Sequence, residues 1–415
     1  MLNNAALLMM FKKEADGVAQ VACSELTTWY VTKSGELYGC GHGGYGKQGS
    51  GATGIVNVFT KRADNVAQVT CSDSTTWYVT SSGELYGCGE GAFGQQGNGS
   101  LTYVTTFTKR ADNVAQVVCS DSVTWYVTKS GELYGCGDGG YGKQGSGATD
   151  NVKVFTKRAD DVAQVACSDD TAWYVTKSGD LYGCGKGYDG AQGNGAFSHV
   201  TTFTKRADNV TQVACSINTT WYLTKSGELY GCGYGAFGQQ GSGATGIVNV
   251  FTKRADNVAQ VTCSDSTTWY VTKSGELYGC GRGDFGQQGS GATDNVKVFT
   301  KRADDVAQAV CHDAAIFYIS KSGNLYYSGF LGGYDYVSSN GTPDGATTFS
   351  LLGSNIKGAA GAYSSSVQYD DYMTTHMGVA WYLTNSGELF GMGYGSYGQQ
   401  GNGSTDTVTT FTKRP

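Results

Sequence analysis

Apolar and polar positions alternate along this chain in short blocks, and the blocks recur every 48 residues. In the first copy, residues 18–23, 28–32, 36–41 and 56–61 are rich in β-branched and aromatic residues and are separated by polar or glycine-rich segments. Alternation of this kind, bounded by frequent turn residues, predicts β-strands. Each copy is therefore predicted to form four short strands.

Eight copies can be counted from an aromatic pair in the second predicted strand. The pair begins at Trp29, Trp77, Trp125, Trp173, Trp221, Trp269, Phe317 and Trp381. Apolar residues occur on both sides of the strands, so each sheet needs a neighbour on either face. Radially arranged blades supply those neighbours, whereas an open stack exposes two end faces and requires polar caps. Because the terminal copies keep Trp29 and Trp381, we predict an all-β fold, a single closed β-propeller of four-stranded antiparallel blades.

This organisation leaves little of the chain outside the propeller. Residues 1–10 are predicted to be an N-terminal extension, and residues 11–415 the propeller of eight repeats. The eighth repeat, residues 349–410, has a 14-residue insertion between its first and second strands. The segment at Phe411 duplicates the segment at Phe11, and we expect one of them to complete a blade shared by the two termini.

The third strand and the loop after it carry a recognisable signature. Residues 35–51 are Gly-Glu-Leu-Tyr-Gly-Cys-Gly-His-Gly-Gly-Tyr-Gly-Lys-Gln-Gly-Ser-Gly, and related segments recur along the chain. This segment resembles the repeat of the regulator of chromosome condensation family. The resemblance implies four-stranded antiparallel blades, usually seven in that family. Eight repeats predict eight blades here, with seven as the alternative. Thr27 stands where the family usually has His, and Gly43 where it usually has Asn.

The same resemblance implies a role in binding. Members of that family use propeller faces to engage protein partners, including a small GTPase for the founding member, and one related propeller inhibits an enzyme by capping it. No residue match in this chain carries nucleotide-exchange activity.

Composition narrows the possible partners and compartments. Gly is abundant, at 64 residues, and Pro is rare, at 2, which fits short strands and tight turns. The formal net charge is -6 and the basic residues form no long runs, so we expect no nucleic-acid partner. The N-terminal apolar run is short and lacks a basic segment before it. We therefore expect no signal peptide and no membrane insertion, and a cytoplasmic or virion-associated protein.

The 13 Cys fall into two series, on the first and third predicted strands of the repeats. Strands two apart in a sheet are about 10 Å from each other, which is too far for a disulfide. The sequence has no Cys-x-x-Cys pair, so zinc is poorly supported. We expect reduced, buried thiols and no metal.

The repeats differ most at the residue after Gly-Cys-Gly and at the positions just beyond it. A meander places this loop on the same face as the turn between the first and second strands. The residues predicted to bind a partner are His42, Tyr45, Glu90, Phe93, Asp138, Tyr141, Lys186, Tyr188, Tyr234, Phe237, Arg282, Phe285, Phe330, Tyr394 and Tyr397, with Tyr369 and Tyr372 in the inserted loop.

The opposite face hardly varies, since its Lys-Ser-Gly-Glu turn keeps Ser-Gly in all eight copies and Lys in six of them. One interpretation is that the variable face is a binding surface, because loops on a rigid scaffold concentrate binding residues. The other is that loops drift freely, with the constant turn held by local geometry or by recent duplication.

Catalytic chemistry is not indicated. The four His, at positions 42, 199, 312 and 376, lie at unrelated places in their repeats, and no cofactor is expected. The glycine-rich loops lead from strand to strand, without a helix N-terminus to hold phosphate. The recurring Lys-Arg-Ala-Asp is expected to link neighbouring blades by surface ion pairs.

Three hypotheses follow. The leading one is a non-catalytic recognition scaffold that binds a protein or another macromolecule through one diversified face. The alternative is an adhesin or virion component, such as a phage tail protein, that binds a cell-surface macromolecule. The third is an enzyme whose pocket unites His376, Asp370 and Asp371.

Overall fold

A computed structural model describes residues 17–312, 314–331, 346–367 and 374–414. The described residues form eight four-stranded antiparallel sheets, the blades, each made of consecutive strands. Blades 1 to 4 comprise β1 (Val18–Cys23), β2 (Thr27–Thr32), β3 (Leu37–Gly41), β4 (Val56–Ala63); β5 (Val66–Cys71), β6 (Thr75–Thr80), β7 (Leu85–Gly89), β8 (Val104–Ala111); β9 (Val114–Cys119), β10 (Val123–Thr128), β11 (Leu133–Gly137), β12 (Val152–Ala159); β13 (Val162–Cys167), β14 (Thr171–Thr176), β15 (Leu181–Gly185) and β16 (Val200–Ala207).

Blades 5 to 8 repeat the same order. They comprise β17 (Val210–Cys215), β18 (Thr219–Thr224), β19 (Leu229–Gly233), β20 (Val248–Ala255); β21 (Val258–Cys263), β22 (Thr267–Thr272), β23 (Leu277–Gly281), β24 (Val296–Ala303); β25 (Val306–Cys311), β26 (Ala315–Ser320), β27 (Leu325–Gly329), β28 (Ala346–Gly353); β29 (Ile356–Val367), β30 (Thr374–Thr384), β31 (Leu389–Gly393) and β32 (Val408–Lys413). Two short 3-10 turns, Gly44–Gly46 and Gly140–Gly142, lie in the loops of blades 1 and 3.

Each second strand carries the aromatic pair that fills the space between blades. Trp29 lies opposite Gly39 on β3, and a Cβ on Gly39 would meet the Trp29 ring at 2.3 Å. Glycine is therefore required there, so that the fully buried indole can lie flat across its own sheet. The face of blade 1 that carries Trp29 packs against blade 2, where the Trp29 ring meets the Phe107 ring edge-on at 5.8 Å. Tyr30, on the other side, packs towards blade 8.

The ring is closed by ordinary interblade contacts. The first strand of every blade contacts the first strands of both its neighbours, including β1 with β29. Phe59 of blade 1 meets Trp381 of blade 8 at 5.9 Å, and the N–H of Val18 donates to the carbonyl of Gly387 at 2.9 Å. The predicted closed all-β propeller is confirmed, and the blade number is eight rather than the alternative of seven.

Closure does not involve a blade shared by the two termini, unlike the sequence-based expectation. β32, which contains Phe411, completes a blade whose four strands all come from residues 356–413. Blade 1 is likewise complete within residues 18–63. Phe11 lies outside the described residues. The two terminal blades meet by packing and hydrogen bonding, as any other neighbouring pair does.

The meander defines two faces. The upper face carries the turns after each first strand and the loops after each third strand, residues 24–26 and 42–55 in blade 1. The lower face carries the turns before each third strand and the links between blades, residues 33–36 and 64–65 in blade 1. The first hairpin of blade 8 is longer than the others, with strands of 12 and 11 residues that extend towards the upper face.

Candidate binding face

The two kinds of upper-face segment are joined by backbone hydrogen bonds. The N–H of His42 donates to the carbonyl of Leu26 at 2.9 Å, and the N–H of Asp138 makes the same bond to Ser122. The first variable residue of each loop therefore starts from a fixed point beside the neighbouring turn. A flexible loop would not give its side chain a defined direction.

A buried glutamine braces the loop from below. The Gln48 amide donates to the carbonyl of Cys40 at 2.8 Å, and Gln144 and Gln240 make the equivalent bond at 2.9 Å. These side chains are inaccessible to solvent. These glutamines were not among the residues predicted to matter, although the sequence contains one signal for them. This glutamine recurs at 48, 96, 144, 192, 240, 288 and 400 beside positions that vary.

In blades 1, 2, 3, 5 and 8 the side chain of the residue before that glutamine ties the loop to the next blade. The Gln95 amide donates to the carbonyl of Asp121, and that of Gln399 donates to the carbonyl of Glu25. Lys47 and Lys143 occupy this position in blades 1 and 3 and donate to the carbonyls of Asp73 and Asp169. Both lysines are buried.

The predicted partner-binding residues differ widely in accessibility. Tyr45, Phe93, Tyr141 and Tyr188 are exposed, at 50%, 41%, 39% and 60%. Those at intermediate exposure are His42, Glu90, Asp138, Lys186, Tyr234, Phe237, Arg282 and Tyr397. Phe285, Phe330 and Tyr394 are buried, and the two phenylalanines pack with Ala314. Tyr369 and Tyr372 lie outside the described residues.

Several charges on this face are compensated within the protein. Arg282 pairs with Asp284 at 2.6 Å, and its guanidinium lies 5.4 Å from the Phe237 ring centre and 4.9 Å from that of Phe285. The Lys186 ammonium lies 3.1 Å from a carboxylate oxygen of Asp170 and 3.1 Å from one of Asp189. These contacts favour a preorganised surface.

Aspartates near the propeller axis link the turns of successive blades. The N–H of Asp73 donates to an oxygen of Asp121 at 2.9 Å, and the N–H of Asp121 donates to Asp169 at 3.1 Å. Burial raises the pKa of all three carboxyl groups, and the charge of Asp73 adds to that effect at Asp121. We therefore assign these residues to interblade structure.

His199 was not among the residues predicted to bind a partner but lies in an aromatic cluster at the edge of the face. Its ring centre is 4.7 Å from that of Tyr141 and 4.3 Å from that of Tyr188. Its Nδ1 accepts the N–H of Gly187 at 3.3 Å. In blade 3 the equivalent residue is Asn151, whose side-chain oxygen accepts the N–H of Gly139. Because this position is not aromatic in every repeat, the repeat pattern gave no indication of the role of His199.

The constancy of the lower face has a structural cause. The Lys129 ammonium donates to the carbonyl of Ser82 in the preceding blade at 2.8 Å, and Lys177 makes the same bond to Ser130. The contrast between a constant and a variable face is therefore not in itself evidence of selection for binding.

The Lys-Arg-Ala-Asp segment behaves differently from our expectation. Lys61 pairs with Glu36 and Asp64, both at 2.6 Å, and all three belong to blade 1 or to the link that follows it. The ion pairs brace the turn, the outer strand and the link of one blade. The lysine-to-carbonyl bonds at Lys129 and Lys177 connect neighbouring blades instead.

The cysteines, all of which lie in the described part of the chain, form no disulfide there, and most of them are buried. Burial raises the pKa of Cys23 to about 12 and that of Cys71 well above the ordinary value, so both stay protonated near neutral pH. Among the residues that the structure describes, no helix is long and apolar enough to cross a membrane. Asp370 and Asp371, two members of the hypothetical catalytic group, fall outside those residues.

Comparison with known proteins places this fold among its relatives. The profile of the regulator of chromosome condensation (RCC1) repeat matches residues 210–239 and 258–287, in blades 5 and 6. No curated protein matches the chain in sequence.

Solved structures share the fold at low identity. Human WBSCR16 is 20% identical, with a TM-score of 0.59 over 73% of this chain and 86% of that chain. Prp20p from Saccharomyces cerevisiae is 18% identical, with a TM-score of 0.57 over 71% and 80%. A chain in the crystal structure of Kap60 bound to yeast RCC1 (Prp20) is 16% identical, with a TM-score of 0.60 over 92% and 96%. Repeat signature and architecture agree, and the chain is an RCC1-like β-propeller.

Proposed function

We propose that this protein is a non-catalytic recognition scaffold that binds a protein partner through its upper face. The observation that carries the proposal is the group of exposed aromatic side chains on braced loops: Tyr45, Phe93, Tyr141 and Tyr188. Large exposed aromatics are costly to leave in water and are enriched where proteins bind one another. Loops fixed from below also lose little conformational entropy on binding.

Relatives of the same fold support a protein partner. Prp20p is described by its binding to Gsp1p and histones, and yeast RCC1 by its complex with Kap60. Because the sequence identity to these chains is low, the similarity supports a shared fold but does not identify the partner of this protein. The receptor-binding alternative would use the same surface, and no described contact favours it over an ordinary protein partner.

The proposal narrows the set of residues predicted from sequence. Phe285, Phe330 and Tyr394 pack inside the protein, so we assign them to support of the face. The accessible residues of blades 1 to 4 are the proposed contact group.

The test compares two multiple variants in binding to proteins from the native source. One carries Y45A, F93A, Y141A and Y188A, and loss of at least one specific partner is expected. The control carries D112N, D160N and D256N on the lower face, where the carboxylates are exposed and their ion pairs contribute only about 0–1 kcal/mol each. Equal partner recovery by both variants would remove the upper face from consideration.

A further inference from the structure

In blades 1, 2, 3, 5, 6 and 8 the upper-face loop adopts one of two conformations, according to whether one buried residue is lysine or glutamine. Ala191 occupies this position in blade 4. Where that residue is glutamine, its side-chain oxygen accepts the backbone N–H of the aromatic residue two positions earlier. The bonds run from Phe93 to Gln95, Phe237 to Gln239, Phe285 to Gln287 and Tyr397 to Gln399, at 2.9–3.0 Å. The same glutamines of blades 2, 5 and 8 also donate to the next blade, so each joins two backbones.

Lysine in that position cannot make the first of these bonds, because an ammonium group donates hydrogen bonds and accepts none. In the two loops with lysine, Tyr45 and Tyr141 adopt φ of 59° and 61°, in the left-handed region that bulky residues rarely enter. The backbone N–H groups of Lys47 and Lys143 instead bond at 3.3 Å to carbonyls three residues earlier. Backbone strain of this kind persists where the surroundings require it.

The residue before the aromatic side chain changes together with the lysine. Gly44 and Gly140 precede the left-handed tyrosines, whereas Ala92 and Ala236 occupy the position in two of the glutamine loops. A Cβ on Gly44 would meet the His42 ring at 2.3 Å. Glycine therefore permits the second conformation in blade 1, and lysine removes the acceptor that holds the first.

The two conformations direct the aromatic ring to different neighbours. In glutamine loops the ring lies beside the first variable residues, as Phe237 does beneath Arg282 and Tyr397 does 5.0 Å from His42. In blade 3 the Tyr141 ring instead reaches His199 in the outer loop of blade 4.

We propose that Lys47 and Lys143 are specificity-determining positioning residues, which select the left-handed loop from beneath the surface. In blade 3, Lys143 thereby assembles Tyr141, His199 and Tyr188 into one exposed aromatic cluster. The assignment of that cluster as a contact point rests on the proposed function. The conformational effect of the lysine stands on the loop geometry alone.

The first test is structural and needs no partner. In the K143Q variant, or in G140A/K143Q, which matches the sequence of a glutamine loop more fully, the introduced glutamine side chain can accept the N–H of Tyr141. We expect Tyr141 to return to negative φ and the nuclear Overhauser effect between its ring and that of His199 to disappear. The chain has four His, and the H199N variant assigns the His199 signal while keeping the side-chain acceptor that Asn151 supplies in blade 3.

Two controls separate the lysine effect from general loosening. K47Q should leave the His199 signal in place, because that lysine acts in blade 1. Q239K/A236G should have the reverse effect and move Phe237 away from Arg282. Retention of positive φ at Tyr141 and of its contact with His199 in both blade 3 variants would overturn the proposal.

Binding provides the second readout. If both proposals hold, K143Q should reduce capture of the upper-face partner about as much as Y141A does. If Tyr141 moves but capture is unchanged, the positioning role stands and the assignment of this cluster as a contact point fails.

Discussion

At the residue scale, the fold depends on cross-strand pairs of tryptophan and glycine, in which the missing side chain of glycine leaves room for the indole ring. Trp125 is fully buried and lies opposite Gly135, where an added Cβ would meet the indole at 2.4 Å. The large ring contributes burial that two smaller side chains could not supply. This complementarity explains why Gly-Cys-Gly and Trp-Tyr recur together.

The G135A variant should lose about 1–3 kcal/mol of unfolding free energy, because the indole must leave its rotamer or the strands must separate. G246A is the matched control, since a Cβ there meets nothing within 4 Å. Urea denaturation of both variants measures the difference. Similar midpoints for the two would show that Trp125 has room to adjust.

His42 provides a prediction about pH. Burial lowers its pKa, and the nearby charge of Lys47 lowers it further. The folded state therefore resists protonation more than the unfolded state, and the resulting stability, complete above about pH 6.5, is lost as the pH falls below that value. We expect K47Q to raise the pKa of His42 in an NMR titration. An unchanged titration midpoint would mean that Lys47 does not act on this ring.

At the scale of elements, the alternation of apolar residues predicted the strands well. Residues 28–32 and 36–41 were predicted, and β2 and β3 span Thr27–Thr32 and Leu37–Gly41. Period-two alternation is a local property, so one repeat suffices to reveal it. The lower-face bond from Lys129 to Ser82 crosses between blades, and a single repeat could not reveal it.

The candidate site was predictable only in part, for the same reason. The order of the strands is enough to predict which residues lie on the upper-face loops. How deeply each of them is buried depends on packing against the next blade. Phe285 was predicted to contact a partner and instead packs against Phe330. The left-handed conformation of Tyr141 could be predicted only by knowing that the side chain of residue 143 is buried beneath the loop and that lysine accepts no hydrogen bond there.

The links between blades offer a test at this scale. Asn209 adopts φ of 60°, and its carbonyl accepts the N–H of Lys225 at 2.7 Å. N209A should cost about 1 kcal/mol of unfolding free energy, since alanine is disfavoured in the left-handed region. N209G should cost less, because glycine enters that region freely. Thermal denaturation of the two variants measures these costs. Equal losses of unfolding free energy would argue against backbone strain as the cause.

At the scale of the whole molecule, a closed ring makes the interface between blades 8 and 1 equivalent to an interface between consecutive blades, such as 3 and 4. Trp381 fills the interface between blades 8 and 1 and is as fully buried as Trp125, which lies between blades 3 and 4. The chain crosses the second interface directly but has to join its two ends at the first. Closure therefore rests on side-chain packing and hydrogen bonds between distant parts of the sequence.

This equivalence predicts that W381A and W125A each lose about 3–5 kcal/mol of unfolding free energy. Chemical denaturation of both variants, monitored by circular dichroism, provides the comparison. A much smaller loss for W381A would indicate a ring that is open in solution between its first and last blades.

Interblade bonds fix turns on both faces of the ring, and exposed side chains differ more from blade to blade on the upper face than on the lower face. Site-specific photo-crosslinking in the native host tests the binding role of the upper face most directly. A photoreactive amino acid placed at position 45, 93, 141 or 188 should capture a discrete partner, whereas one at position 112, 160 or 256 should not. Capture only from the second group of positions, or equal capture from both groups, would contradict partner binding through the upper face.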